Sequence, residues 1–397
     1  MHIAVVCPYP PFDGVPHAGG AFLHAYVTHL SRGHKVDLIC TTDPEPRTTG
    51  SYDSSVTVRF SPPVMSGGTS RLRQQSRTLT GFNIGAPEVD GLVRDPSARQ
   101  VLAAADVVDI QWAELLRALP RLRQYRGRKP IVATEHDLYA RGFIRLARSQ
   151  SGALDRIPVR KRLFAPLAVF TETYFLAKCD LVHVFNRDDV TVLRRCGLRR
   201  PCVVLDPLLD ISPEVLLSEH TNKVIFAGAF TRGPNAEGAL WFLRHVWPSV
   251  VQSVPDATIA LAGNGSAELL AACPTSGASA TGYLSDLKTA YAGCAVAVAP
   301  LLRGAGVKVK VPQALAYGLP VVTTRVGAEG LPPGCPAVVV SGPSEMAHAI
   351  VRLLQSGDKA RELGEEGRAW VATVFDFSRS MKQVEARFES LVRQAGR

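Results

Sequence analysis

The stretch from Ala295 to Thr324 constrains the fold more than any other part of the chain. The apolar run Ala295–Leu302 has the length and bounds of a buried strand. It breaks at Gly304-Ala305-Gly306, passes through Lys308 and Lys310, and gives way to a helix predicted to open near Pro312, a residue tolerated in a first helical turn. The helix stops at Gly318, and Leu319–Thr324 reads as a second strand. Strand, glycine loop, helix and strand make one βαβ unit. Its loop aims backbone N–H groups and two ammonium groups at one point, which suits a phosphate at a helix N-terminus.

The same alternation recurs along the chain. His2–Cys7 reads as a strand, followed by Pro8-Tyr9-Pro10-Pro11 and a loop closing on Gly19-Gly20. Phe22, Ala25, Tyr26, His29 and Leu30 then fall on one helical face, Arg32-Gly33-His34 stops the helix, and Val36–Thr41 is a second strand. This βαβ lacks G-x-G-x-x-G and an acidic residue for a ribose, so it reads as doubly wound and not as a dinucleotide fingerprint. Residues 43–100 are rich in Pro, Ser, Gly and Arg and show one strand, Val56–Phe60. Strands return at Val107–Gln111 and Pro130–Thr134, the latter running into Glu135-His136-Asp137. A polar triplet at the C-terminal end of a parallel strand is where open α/β sheets place working residues. Further strands are expected at Leu181–Phe185 and Val203–Pro207, with a domain boundary near 206–220. Beyond it, Lys223–Phe226 leads into Gly228–Asn235, Thr258–Leu261 into Gly263-Asn264-Gly265, and Ala280–Tyr283 is a short strand, each followed by a helical pattern. The reading is an α/β chain of two doubly wound parallel-sheet domains, 1–205 and 206–377, with a C-terminal helix in 378–397 packing back on the first domain.

Length suits two domains. The formal net charge is +10, and all of the excess lies in residues 1–205, which hold 28 Lys+Arg against 18 Asp+Glu. The phosphate loop sits in the neutral half and so acts by local geometry. Between 141 and 164, seven basic residues (Arg141, Arg145, Arg148, Arg156, Arg160, Lys161 and Arg162) alternate with Phe143, Ile144, Leu146 and other apolar residues. That pattern fits either a solvated helix face or a basic amphipathic surface for anionic lipid. Eight scattered cysteines without a C-x-x-C pair read as small buried hydrophobes. No window is apolar enough to span a membrane and the start reads as a core strand, so the expected location is cytoplasmic, with peripheral contact at the inner membrane face left open. Arg outnumbers Lys 35 to 10, a bias of GC-rich bacterial genomes. Few aromatics accompany the basic residues, and no nucleic-acid partner is expected.

Taken together, these residues resemble the retaining glycosyltransferases of GT-B fold, family 4 type (glycosyl transferases group 1). The resemblance rests on order and spacing: Gly19-Gly20; Leu30 to Val36, similar to an L-x-x-x-G-H-x-V step; His136-Asp137; Phe226 to Asn235 with Trp241-Phe242; Gly263-x-Gly265; Gly282; Tyr291; the opening stretch; and Gly327-x-Glu329-Gly330-Leu331. It implies two Rossmann-like domains facing a central cleft. It further implies metal-independent transfer of a hexosyl group from a nucleotide-diphosphate sugar, with retention, to a glycan, lipid-linked or natural-product hydroxyl. The donor is a substrate, and no further cofactor and no metal are expected; the chain contains no D-x-D. His136, Lys308 and Lys310 are the expected catalytic residues. Gly19, Gly20, Arg232, Asn264, Tyr283, Gly304, Ala305, Gly306, Val307 and Gln313 are the expected donor contacts. The chain departs from the family at three places. The paired glutamates fall at Ala305 and Gln313, and a Gln replaces one acceptor oxygen of the ribose-binding glutamate with a donor NH₂. The Arg/Lys pair of the first loop of the second domain falls at Ala229 and Pro234, which shifts the phosphate work to Arg232, Lys308 and Lys310. These departures keep alive an inactive nucleotide-sugar-binding or partner protein of the same fold; an epimerase or hydrolase would want cleft carboxylates that the sequence does not identify.

Overall fold

The computed structural model describes residues 1–15, 18–42, 51–63, 86–120, 129–136, 138, 140–141, 159–211, 218, 221–284, 286–304 and 306–396. The chain divides into two compact units, Met1–Val15 with Gly19–Asp206 and Phe377–Arg397 forming one, and Pro207–Asp376 the body of the other.

The first unit is built on a seven-stranded sheet in the order β3-β2-β1-β4-β5-β6-β7. Its strands are β1 (His2–Cys7), β2 (Lys35–Cys40), β3 (Val56–Phe60), β4 (Val107–Gln111), β5 (Ile131–Thr134), β6 (Leu181–Val184) and β7 (Cys202–Val204), all paired in parallel. Parallel sheets are covered on both faces and so carry near-continuous apolar strands. In β1 the side chains divide by alternation: Ala4 and Val6 enter one core, Ile3, Val5 and Cys7 the other. Helices α1 (Ala18–Ser31) and the C-terminal helix Phe377–Ala395 cover the second of these faces, placing Leu23, Tyr26, Met381, Val384 and Phe388 in it. Helices α2 (Ala86–Arg94) and α3 (Pro96–Ala104) cover the other, with contributions from α4 (Val159–Leu176) and α5 (Arg187–Arg195).

Several sequence expectations change here. Gly19 and Gly20 lie inside the first turn of α1 and have helical backbone, so they do not close a loop. Within residues 43–100, where the sequence pattern indicated one strand only, two helices open, Ala86–Arg94 and Pro96–Ala104; Asp95 caps the second by accepting from the Ser97 N–H, with Pro96 just inside. Arg141 is not part of a solvent-facing basic surface. It is buried, and its guanidinium donates to Asn186, Asp188 and Asp189 at 3.0, 3.0 and 2.9 Å. Residues 142–158 of that basic stretch lie outside the described residues.

The second unit carries a six-stranded parallel sheet, β10-β9-β8-β11-β12-β13. Its strands are β8 (Lys223–Ala227), β9 (Thr258–Ala262), β10 (Ala278–Gly282), β11 (Val296–Ala299), β12 (Val321–Thr324) and β13 (Val338–Val340). The helices are α6 (Gly233–His245), α7 (Trp247–Ser253), α8 (Ser266–Ala272), α9 (Leu287–Tyr291), α10 (Lys310–Ala316), α11 (Pro343–Leu354) and α12 (Gly357–Val374). Val224 and Phe226 pack toward α6, α7 and α11, while Ile225 and Ala227 pack toward α10 and α12. The signature helix, α10, opens two residues before Pro312. All eight cysteines are free thiols. Among the described residues no helix is long and apolar enough to cross a membrane.

Candidate functional site

In the second sheet the strand order reverses at β8, with β9 on one side and β11 on the other. Ligands of open α/β sheets bind beyond the strand C-termini at such a switch point. Two loops meet there, one after β8 and one after β11. Lys310, the first residue of α10, reaches from the second loop to the first: its Nζ donates to Asn235 Oδ1 at 2.6 Å and lies 4.8 Å from the centroid of the Phe226 ring. Asn235 is itself held by an Nδ2 bond to the Ala229 carbonyl, 2.8 Å. Gly228 makes this approach possible, since a Cβ there would stand 2.9 Å from the ammonium nitrogen. Lys308 is buried and folds back to donate to the Gly306 carbonyl at 2.6 Å, across a turn in which Gly304 and Gly306 hold φ of 142° and 70°. Arg232 is the N-cap residue of α6 and is exposed.

The electrostatics of this set would suit an anion. Burial, then the positive charges of Lys308 and Arg232, push the Lys310 ammonium down to about 7. Like charges gathered this closely with one of them desolvated point to function more than to stability.

Other expected donor contacts are placed differently. Asn264 is exposed, and its backbone carbonyl accepts from the Phe230 N–H at 2.7 Å, so it braces the loop that carries Arg232. Tyr283 is exposed and follows β10, the edge strand. Val307 is half-buried within the cation loop. Ala305 lies outside the described residues. Gln313 is engaged elsewhere: its Oε1 accepts from the Asp210 N–H at 3.1 Å and its Nε2 donates to the Asp210 carbonyl at 2.7 Å. Tyr317, one turn on, donates its hydroxyl to the Asp210 carboxylate at 2.7 Å. Both halves of the Gln313 amide are thus used on the backbone that leads into this unit.

The first sheet has its own switch point, between β1 and β4, and His136 lies beyond the end of the neighbouring strand β5. The His136 ring stacks on Trp112, centroids 3.8 Å apart and planes 14° apart, and is further flanked by Phe185 and the edge of Phe22. Trp112 is the one non-glycine residue with positive φ among the described residues, at φ 68° and ψ 130°. Strain of this kind, about 1–3 kcal/mol, clusters at functional sites.

Behind His136 runs a buried polar relay that sequence reading missed. Gln111 Nε2 donates to Asp109 Oδ2 at 2.7 Å, so Gln111 Oε1 is turned to accept from His136 Nε2 at 2.9 Å. Asp109 also accepts from Tyr26 and Thr134, at 2.7 and 3.0 Å. Because the Thr134 hydroxyl is already donating, it accepts from His183 Nδ1, 3.2 Å away. His183 is fully buried, which pushes its pKa down to about 3 and keeps it neutral. Burial raises Asp109 to about 6 despite its three donors. The available signal was a polar alternation, Asp109 and Gln111 in an otherwise apolar strand. Asp137 lies outside the described residues.

Comparison with known proteins falls into line with this geometry. Residues 221–356 match the pattern of Glycosyl transferases group 1. That stretch holds both loops of the cation cluster. An alignment of 120 positions that covers 28% of this chain is 32% identical to an uncharacterized 44.6 kDa protein of the cps region of Klebsiella pneumoniae and spans 31% of that relative's length. Among solved structures, sucrose-phosphate synthase from Thermosynechococcus elongatus aligns with a TM-score of 0.73 at 16% identity, over 99% of this chain and 100% of that one. Anabaena HepE, solved in complex with UDP and glucose, aligns at 0.68 and 15%, over 98% and 100%. The fold, two parallel-sheet α/β units, is that of the GT-B glycosyltransferases.

Proposed function

We propose that this protein is a glycosyltransferase that moves a hexosyl group from a nucleotide-diphosphate sugar to a hydroxyl-bearing acceptor, with retention and without a metal ion. The observation that carries the reading is the Lys310 ammonium, desolvated and set against Lys308 and Arg232 at the switch point of the second sheet. In the reaction the bond between the anomeric carbon and the diphosphate oxygen breaks, its electron pair stays with that oxygen, and the acceptor oxygen bonds the carbon and passes its proton to the departing diphosphate. Positive charge grows on the sugar ring and negative charge on the diphosphate. This reading sets Lys308, Lys310 and Arg232 against that growing negative charge, the work a divalent metal would otherwise do. The match over 221–356 and the UDP bound by Anabaena HepE support a nucleotide donor on this unit. His136 is assigned to a donor-sugar hydroxyl. Its Nε2 proton is held by Gln111 Oε1, which fixes the plane of the ring. Gly19 and Gly20 supply helix-turn N–H groups in the first unit. Eight free thiols fit a reducing, cytoplasmic setting.

One observation favours a second reading, a nucleotide-sugar-binding protein without turnover: the Gln313 amide oxygen and nitrogen are both bonded to the Asp210 backbone. A panel of nucleotide sugars separates the two. The transferase releases free nucleoside diphosphate with at least one donor, with or without EDTA, and Lys310→Ala lowers that rate by about a hundredfold or more. Donor binding without release by any pair of donor and acceptor would favour the second reading, and a wild-type rate for Lys310→Ala would remove the cation cluster from the mechanism.

A further inference from the structure

Building on the sugar-transfer reading, we propose that Glu237 is a positioning residue for the donor diphosphate: through Arg303 it pins the outer end of the loop that carries Lys308 and Lys310. Arg303 immediately precedes Gly304, and its Nε and Nη2 donate to the two Glu237 carboxylate oxygens, a fork that fixes direction as well as distance. Glu237 lies one turn into α6 from Gly233. The guanidinium rests against that first residue, where a Cβ on Gly233 would stand 3.1 Å from Nη2. Gly238 lets the chain leaving β11 come equally close, since a Cβ there would meet the Pro300 carbonyl oxygen at 2.6 Å.

The start of α6 is therefore the bed on which the cation loop lies, and the loop is tied to it at both ends. Glu237 holds Arg303, and Asn235 Oδ1 accepts from the Lys310 ammonium at 2.6 Å. Between the ties stand Gly304 and Gly306, with φ of 142° and 70°, a pair with little conformational preference of its own. An untied loop of this kind would have to be ordered by the anion, at the expense of affinity. The ion pair itself is open to solvent, with the Arg303 and Glu237 side chains 57% and 48% exposed, and pairs of that sort add little to fold stability. Its effect falls on the loop. Both nitrogens of the fork are committed to Glu237, so Arg303 acts on the anion through the loop and not as a fourth cation.

The test is calorimetric titration of UDP, GDP and dTDP into the full chain, with limited trypsin digestion run beside it and the cut after Arg303 followed by mass spectrometry. Glu237→Ala should weaken the tightest of these ligands about tenfold and speed the cut after Arg303 by about as much, while the melting temperature moves by no more than about 2 °C. Arg303→Glu alone should bind worst, because it sets a carboxylate beside the diphosphate. Adding Glu237→Arg to it should bring affinity back to within about threefold of wild type. That rescue reports the tie, since a cation that met the anion directly could not be reversed without loss. Wild-type affinity in Glu237→Ala overturns the proposal. So does a double reversal no better than Arg303→Glu, which would place Arg303 on the anion itself. A wild type that binds none of the three overturns the sugar-transfer reading and the ligand named here, whereas an unchanged cut rate in Glu237→Ala overturns the tie whatever the ligand.

Discussion

A desolvated ammonium beside Lys308 and Arg232 keeps its proton only weakly, and that makes Lys310 a pH-sensitive reporter of the anion proposed for its loop. Its value of about 7 lies well below that of a free lysine. The unfolded chain therefore binds the extra proton between about 7 and 10, so Lys310 penalises folding most below pH 7, and the penalty is relieved as pH rises through that window. Binding of a nucleoside diphosphate has the opposite sense, since it favours the protonated form. Affinity should fall as pH rises above 7, and at pH 8 binding should draw in roughly one proton. Calorimetry in two buffers of different ionisation enthalpy measures this. Wild type should show buffer-dependent heat and Lys310→Met none; equal heats for wild type would mean that Lys310 does not meet the anion. His136 offers the second residue-scale case. Gln111→Leu removes the acceptor for His136 Nε2 and one donor to Asp109. Stability should drop by about 1–3 kcal/mol and turnover by up to about a hundredfold as the imidazole loses its register. Turnover at the wild-type level in a folded Gln111→Leu protein would show that the relay does not position the ring.

At the scale of elements, α10 serves two ends at once, because its first residue is Lys310 while Gln313 inside it and Tyr317 at its C-cap bond Asp210. The amide accepts from the Asp210 N–H and donates to the Asp210 carbonyl together, which an ionised carboxylate cannot do. Gln313→Glu keeps the acceptor but sets a carboxylate against that carbonyl and near the Asp210 carboxylate, at a cost of about 1–3 kcal/mol at pH 7. Protonating the new Glu restores a donor, so the deficit should shrink toward pH 4. Denaturant titrations at the two pH values test this, and a deficit that ignores pH would assign Gln313 a packing role alone. This pairing also shows what sequence could not reveal. The βαβ rhythm, the cation loop and the polar end of β5 were legible because they follow local pattern, and Val56–Phe60 and Val107–Gln111 coincide with observed strands. Gln313 could be recognised as a departure, but its partner lies 103 residues away. Gly91 misleads in the same way. It sits inside α2 because a Cβ would come 2.1 Å from the Pro62 carbonyl oxygen, a tertiary demand that reads locally as a helix breaker. The strained Trp112 has no local signature of any kind.

At the scale of the whole molecule, the first unit is discontinuous in sequence, completed by the last segment of the chain. Met381, Val384 and Phe388 are fully buried against the same face of the sheet as Leu23 and Tyr26, and Phe388 stacks over His183, centroids 6.1 Å apart. The helix is fastened at its start by Ser380, which accepts from the Asp206 N–H at 2.8 Å, and by Arg379, which pairs with the Asp206 carboxylate at 3.1 Å. Burying three such side chains is worth about 1.5–3 kcal/mol each, together a large share of the about 5–15 kcal/mol by which a domain is stable. Deleting Phe377–Arg397 would also uncover the neutral, desolvated His183 that the C-terminal helix seals. The expected outcome is selective. Hydrogen exchange in the truncated chain should show β1, β4, β5 and β6 losing protection while β8, β9 and β11, whose core is built within Pro207–Asp376, keep theirs. Protection unchanged in β1 and β6 would mean that the helix only rests on the unit. Loss of protection in both sheets would mean that the two units fold as one cooperative body. Selective loss would place the integrity of the His136 relay under the control of the chain's last twenty or so residues, since Asp109, Thr134 and His183 all lie on the face that this helix covers.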